Sequence, residues 1–113
     1  TEPQKESISF DDFEKMDIRA ATILEAEKIA KTKKLLKLVI DTGIDRRTIV
    51  SGIAEHYTPE ELVGRQVLVL VNLEPRELRG VLSQGMILMA QDSSGKLVLL
   101  SPAERVDNGA TIG

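Results

Sequence analysis

Short alternating runs constrain this chain more than any other feature. Leu36, Leu38 and Ile40 alternate with Lys37, Val39 and Asp41, which predicts a half-buried strand. An earlier run, Asp17 to Lys28, puts Ile18, Ala20, Thr22, Leu24 and Ala26 on one face, with Arg19, Glu25 and Glu27 among those on the other. Val67–Val71 and Met86–Ala90 are nearly continuous in apolar residues, as strands buried on both faces are. Turn signals fall between these runs. Thr42-Gly43-Ile44-Asp45 predicts a hairpin onto a third strand from Arg47 to Ile53, and Asp92-Ser93-Ser94-Gly95 turns Met86–Gln91 onto Lys96–Leu100.

Helix signals are few and short. Ser9 suits an N-cap, with Asp11 and Asp12 in a first turn where the helix dipole favours negative charge, and predicts a helix from Phe10 to about Lys15. Ile8 and Phe13 have the spacing of a hydrophobic staple. Thr58-Pro59-Glu60-Glu61 combines an N-cap, proline at the first helical position and a glutamate able to reach back to the cap, and Gly64 supplies the stop. The order is therefore three strands, a short helix, a strand, a loop and a strand. That is the order of a five-stranded OB barrel with its helix between strands three and four, an all-β fold with a short N-terminal helix and a C-terminal extension. Strand spacing alone leaves another small barrel or a sandwich open.

The polar interruption from Asn72 to Met86 is pinned at both ends by buried strands, so its position is fixed while its side chains are free to bind. Catalysis finds little support. The 113 residues contain a single histidine, His56, which reads as a surface residue beside the Thr58 cap. No Ser-His-acid arrangement can be placed around that one imidazole without the fold, and with no cysteine there is no thiolate metal site or cysteine nucleophile. No cofactor is implied. Gly80 and Gly85 lie too far apart to cradle a phosphate at a helix start. No apolar run approaches the roughly 20 residues of a membrane span, and the absence of cysteine makes the cytoplasm the expected compartment. The first residue is not methionine, and the chain reads as a piece of something longer, with residues 1–7 a tail or linker end and residues 8–113 one domain.

A formal charge of −3 argues against coating nucleic acid by bulk electrostatics, but the charges are unevenly placed. Lys28, Lys31, Lys33, Lys34 and Lys37 share one segment, followed by Arg46 and Arg47. Alone, that segment reads equally as a solvated connection. In an OB barrel, the loop between strands one and two and the loop between strands four and five border one face. The lysines would then share a ligand with Arg76 and Arg79, which suit phosphates, and with Asn72, Ser83 and Gln84, which suit base or sugar edges. Aromatics are only 3% of residues, which favours recognition of RNA shape over base stacking. Met86 reads as core by composition, with a soft apolar contact at the rim as the other reading.

Lys33-Lys34-Leu35-Leu36-Lys37-Leu38, Val50-Ser51-Gly52-Ile53, Val71-Asn72-Leu73-Glu74-Pro75-Arg76 and Ser83-Gln84-Gly85-Met86 together resemble the tRNA-binding domain at the C-terminus of many methionyl-tRNA synthetases, and its stand-alone relatives. The likeness runs from about Ile8 to the end. It implies a non-catalytic OB-fold homodimer that binds tRNA by shape and raises the tRNA affinity of a covalently linked synthetase catalytic domain. Carried across, Lys33, Lys34 and Lys37 fall in the basic segment, Asn72, Arg76 and Arg79 in the second binding loop, and Ser83, Gln84 and Met86 in its closing motif. Glu77 departs from the family, which usually has lysine there. The dimer contacts would involve Ile8, Phe10 and Phe13 near the N-terminal helix and Pro102, Val106 and Ile112 after the barrel. Export-related peptide-binding chaperones share the fold, and Asn108 to Gly113 is similar to their ending, which gives the second reading.

Overall fold

The computed structural model describes residues 1–113. Helix α1 spans Phe10–Glu14, and the Ser9 hydroxyl caps it by accepting from the Asp12 amide at 3.1 Å. Strands β1 (Ile18–Lys28), β2 (Leu36–Asp41) and β3 (Arg46–Ser51) follow as an antiparallel meander. Helix α2 (Pro59–Leu62) then inserts the fully buried Leu62 beneath the barrel before β4 (Gln66–Leu70). Thr58 does not cap α2 through its side chain; its hydroxyl instead donates to Glu61 Oε2 at 3.2 Å. Gly64, at φ +92°, ends the turn and donates its amide to the Ile23 carbonyl.

The chain continues through β5 (Arg76–Leu78), β6 (Val81–Ser83), β7 (Met86–Ile87), β8 (Met89–Gln91), β9 (Leu97–Leu99) and β10 (Thr111–Ile112). The main sheet runs β3-β2-β1-β4-β7, with β10 added to the start of β1. It curls until the segment after β6 meets β3, where the Gln84 amide donates to the Thr48 carbonyl at 2.9 Å. This closure completes a five-stranded OB barrel, the expected all-β architecture. Its core joins Ala21 and Ile23 of β1, Leu36, Leu38 and Ile40 of β2, Ile49 of β3 and Val67 and Val69 of β4.

The structure departs from the sequence expectation in four places. The inward face of β1 begins with Ala21 and Ile23, not with Ala20, Thr22 and Leu24. A register shift between Ile23 and Glu25 inserts an extra residue, which restores Ala26 to the core side. Ala20 and Thr22 are buried too, on the opposite face, beneath residues 105–110. Asn108 Oδ1 accepts from the Thr22 hydroxyl at 2.7 Å and from Gln66 Nε2 at 3.1 Å, and Ala20 exchanges backbone bonds with Gly109 and Ala110. The C-terminal extension is thus a strap across its own barrel. The expected Met86–Gln91 strand divides at Leu88. Lastly, the expected loop from Asn72 to Met86 contains the β5–β6 hairpin, whose two turn residues, Arg79 and Gly80, have φ +52° and +80°. Positive φ at both central positions marks the tight turn whose twist suits paired strands.

Candidate nucleic-acid interface

Strand pleating defines the site. Because Leu36, Leu38, Ile40 and Ile49 point into the core, Lys37, Val39 and Asp41 of β2 and Arg46, Thr48 and Val50 of β3 point outward. The β5–β6 hairpin stands beside this outer face. One transverse row crosses it: Glu27 pairs with Lys37, Lys37 with Val50, the Val50 amide donates to Ser83 Oγ at 2.9 Å, and Ser83 pairs with Arg76. Three strand spacings place Lys37 roughly 14 Å from Arg76. Lys33 and Lys34 extend the row from the β1–β2 turn, where the Ala54 amide holds the Lys34 carbonyl and leaves both side chains exposed. The two segments expected to share a ligand therefore border one surface. Lys37 also meets Glu27 Oε1 at 3.7 Å, an exposed pair that moderates its charge.

Between the hairpin and β3 lies a groove of about 80 Å³, walled by Val50, Leu73, Leu78 and Met86 and edged by Arg76 and Glu74. Met86 is 47% exposed, so it is a rim residue and the core reading is overturned. Strand β7 begins at a tight approach to β4, which lets Ile87 take the core position and turns Met86 outward.

Of the remaining expected contacts, two already have partners inside the chain. Asn72 is exposed, yet its Oδ1 accepts from the Asp17 amide at 2.9 Å and its Nδ2 donates to the Lys15 carbonyl at 2.7 Å. It ties the chain after β4 to the link between α1 and β1. Ser83 is buried, and its hydroxyl closes the barrel by accepting from Val50. Gln84 uses its backbone in the same closure. Gly85, at φ +135°, lies so close to β4 that a Cβ there would sit 2.8 Å from the Leu70 carbonyl oxygen. Ser83-Gln84-Gly85 is a barrel-closing staple, and Met86 follows it into the groove.

Arg47 was grouped by sequence with the basic segment, but the fold withdraws it. Its Nε and Nη2 grip Asp45 at 3.0 and 2.9 Å, and its Nη1 donates to the carbonyls of Val71 and Gln84. The Arg47 and Thr42 hydrogen bonds hold the Asp45 carboxyl below the usual carboxylate range. Arg46, grouped with the same basic segment, does stand on the outer face, whereas sequence reasoning missed Thr48 and Val50 there; the two-residue alternation in β3 was the available signal. Tyr57, the only tyrosine, accepts from the Leu99 amide at 3.1 Å and carries Arg65 over its ring at 5.5 Å, so it offers no stacking platform here. Nowhere do three His, Asp or Glu side chains converge on a possible metal site. Neither helix is long and apolar enough to cross a membrane.

A small OB barrel with a cationic hairpin and a basic turn on either side of its outer β2–β3 face defines the oligonucleotide-binding class of this fold. More narrowly, the chain belongs to the tRNA binding domain family, whose family model matches residues 18–111. It is 63% identical over 111 residues to the methionine–tRNA ligase of Cytophaga hutchinsonii and equally to that of Flavobacterium johnsoniae, in each case covering 98% of this chain. The chain spans 16% of the length of each of those ligases. Among solved structures it resembles a methionyl-tRNA-synthetase-related protein from Pyrococcus horikoshii, with a TM-score of 0.91 and 42% identity over 96% of this chain and 100% of that one. The chaperone CsaA of Bacillus anthracis aligns with a TM-score of 0.87 and 30% identity, over 96% and 100%.

Proposed function

We propose that this domain binds tRNA by shape and backbone, without catalysis, and raises the tRNA affinity of a methionine–tRNA ligase of which it is the appended part. The hairpin supports this reading best. Arg79 is held at φ +52°, where Asn or Gly would sit at lower cost, and Arg76 stands in one row with Lys37 across a groove with apolar walls. Side chains with free donors at the rim are Lys33, Lys34, Arg76, Arg79 and Gln84, with Met86 as the apolar contact; Lys37 adds a shared charge. The lack of a stacking aromatic at this face agrees with shape recognition.

Residues 8–113 form the domain in this reading, and residues 1–7 the end of a linker. It works in the cytoplasm as a homodimer. Ile8, Phe10, Phe13 and Met16 form an exposed apolar set around α1, with Phe10 71% exposed. Pro102, Val106 and Ile112 belong to the strap, where Ile112 pairs with Ile18 in β1 and Val106 exchanges bonds with Gln66. Pairing two copies would double a modest cationic face in a chain of net charge −3. Because the strap buries Ala20 and Thr22, removing it would damage the barrel, so Phe10→Ser with light scattering is the cleaner test of the dimer.

Arg76→Ala or Lys33→Ala should weaken binding to all tRNAs alike, by about 1 kcal/mol or more, and lower the salt slope. A loss confined to one tRNA species would contradict shape recognition. The likeness to CsaA and the apolar groove favour a second reading, peptide binding by a chaperone. Salt separates the two: tRNA affinity should fall steeply with ionic strength, whereas apolar peptide binding should be nearly flat. Peptide binding without tRNA binding at low salt would overturn the first reading.

A further inference from the structure

We infer that Arg47 is a positioning residue for the β5–β6 hairpin, with Asn72 as the second pin, and that Arg47 aims Arg76 and Arg79 without touching the ligand. This rests on the hairpin being the RNA-contacting element. A two-stranded hairpin is marginally stable alone, and β5–β6 forms a sheet of its own outside the main ladder. What holds it is a small set of bonds at its feet.

Arg47 Nη1 joins both feet, donating to the Val71 carbonyl at 2.8 Å on the entering side and to the Gln84 carbonyl at 3.2 Å on the leaving side. The same guanidinium is fixed behind by its fork on Asp45, and Asp45 is fixed in turn by the Thr42 hydroxyl at 2.8 Å. Only a planar guanidinium can grip a carboxylate with two nitrogens and still direct a third at two carbonyls; a lysine ammonium has no such fork. The Arg47 side chain is 16% exposed and its charge is spent on Asp45, so it has little to offer a phosphate. Asn72 holds the entering foot from the other side, through Lys15 and Asp17.

The test is a background experiment with unfractionated tRNA at low salt. Arg47→Met removes every donor at similar length; Arg47→Lys keeps the charge without the fork. Each is made in the wild-type chain and in an Arg76→Ala/Arg79→Ala chain. Arg47→Met should weaken wild-type binding about tenfold but the double-alanine chain by less than about twofold, because a positioning residue has nothing left to aim. Arg47→Lys should rescue little. Hydrogen exchange should quicken across residues 76–83 while the amides of Leu38 and Ile40 stay slow. An equal loss in both backgrounds, full rescue by lysine, or unchanged exchange in the hairpin would overturn the inference. Should Arg47→Met fail to fold, Asn72→Asp replaces it. It keeps the acceptor for Asp17, sets a carboxylate oxygen against the Lys15 carbonyl, and should show the same background dependence. If the wild-type chain binds no tRNA, the function fails, and exchange in the hairpin still decides the positioning.

Discussion

Replacing Ser83 with alanine distinguishes a ligand contact from a structural staple. The Ser83 hydroxyl accepts from the Val50 amide at 2.9 Å, and the two residues are 6% and 8% exposed. Alanine cannot accept that bond, and the amide donor loses its partner within a buried contact. An orphaned buried amide costs about 1–3 kcal/mol, against a net gain near 1 kcal/mol for an ordinary hydrogen bond, so the orphan sets the scale. For a domain of this size each kcal/mol lowers Tm by roughly 4 °C, which predicts a fall of roughly 4–12 °C. Urea unfolding followed by circular dichroism should show a lower midpoint at an unchanged slope. Because that bond also ties the hairpin to β3, tRNA affinity measured well below Tm should fall by no more than about tenfold, and only together with the loss of stability. A variant with unmoved stability and weakened tRNA binding would refute the reasoning and return Ser83 to the contact surface.

Four other substitutions probe separate parts of the site. Gly85→Ala meets both a positive φ and the Leu70 carbonyl, and should cost roughly 2–4 kcal/mol in urea unfolding. Gly80→Ala, also at positive φ but facing open space, should cost only about 1–2 kcal/mol, and equal losses would show that the approach to β4 is not the constraint. Arg79→Asn should leave thermal stability unchanged or slightly higher while weakening tRNA binding, because Asn tolerates the left-handed turn; a drop in Tm would contradict the strain argument. Acid titration tests Asp45. Its folded pKa lies below the unfolded value of about 3.9, so its contribution is fully present above that value and lost as pH falls through the depressed one. Asp45→Asn should remove that part of the acid limb, and identical acid limbs in the two proteins would show that the Arg47 bond contributes nothing.

Much of the barrel was legible in the chain because its signals are local. Alternation in Leu36–Asp41, the Thr42–Asp45 turn and the Pro59 helix start each depend on a few neighbouring residues, and each lies where the spacing predicted. The hairpin inside Asn72–Met86 was hidden because its turn carries arginine where Asn or Asp usually announces one. In β1 the alternation misled, since two consecutive faces are buried by different partners and the bulge at Leu24 changes parity midway.

The sequence by itself determined the strand order, the helix between strands three and four, and the presence of a lysine segment and an arginine-bearing loop, the latter offset by Glu74 and Glu77, that flank one face in such a barrel. Only the tertiary structure decided which polar side chains remain available. Asn72, Ser83 and Arg47 look like ligand donors in one dimension, but their partners lie at Lys15 and Asp17, at Val50, and at Val71 and Gln84. A hydrogen-bonding group can be spent on the fold or offered to a ligand. Which of the two occurs depends on contacts between residues far apart in the chain, and residue type and spacing do not record them.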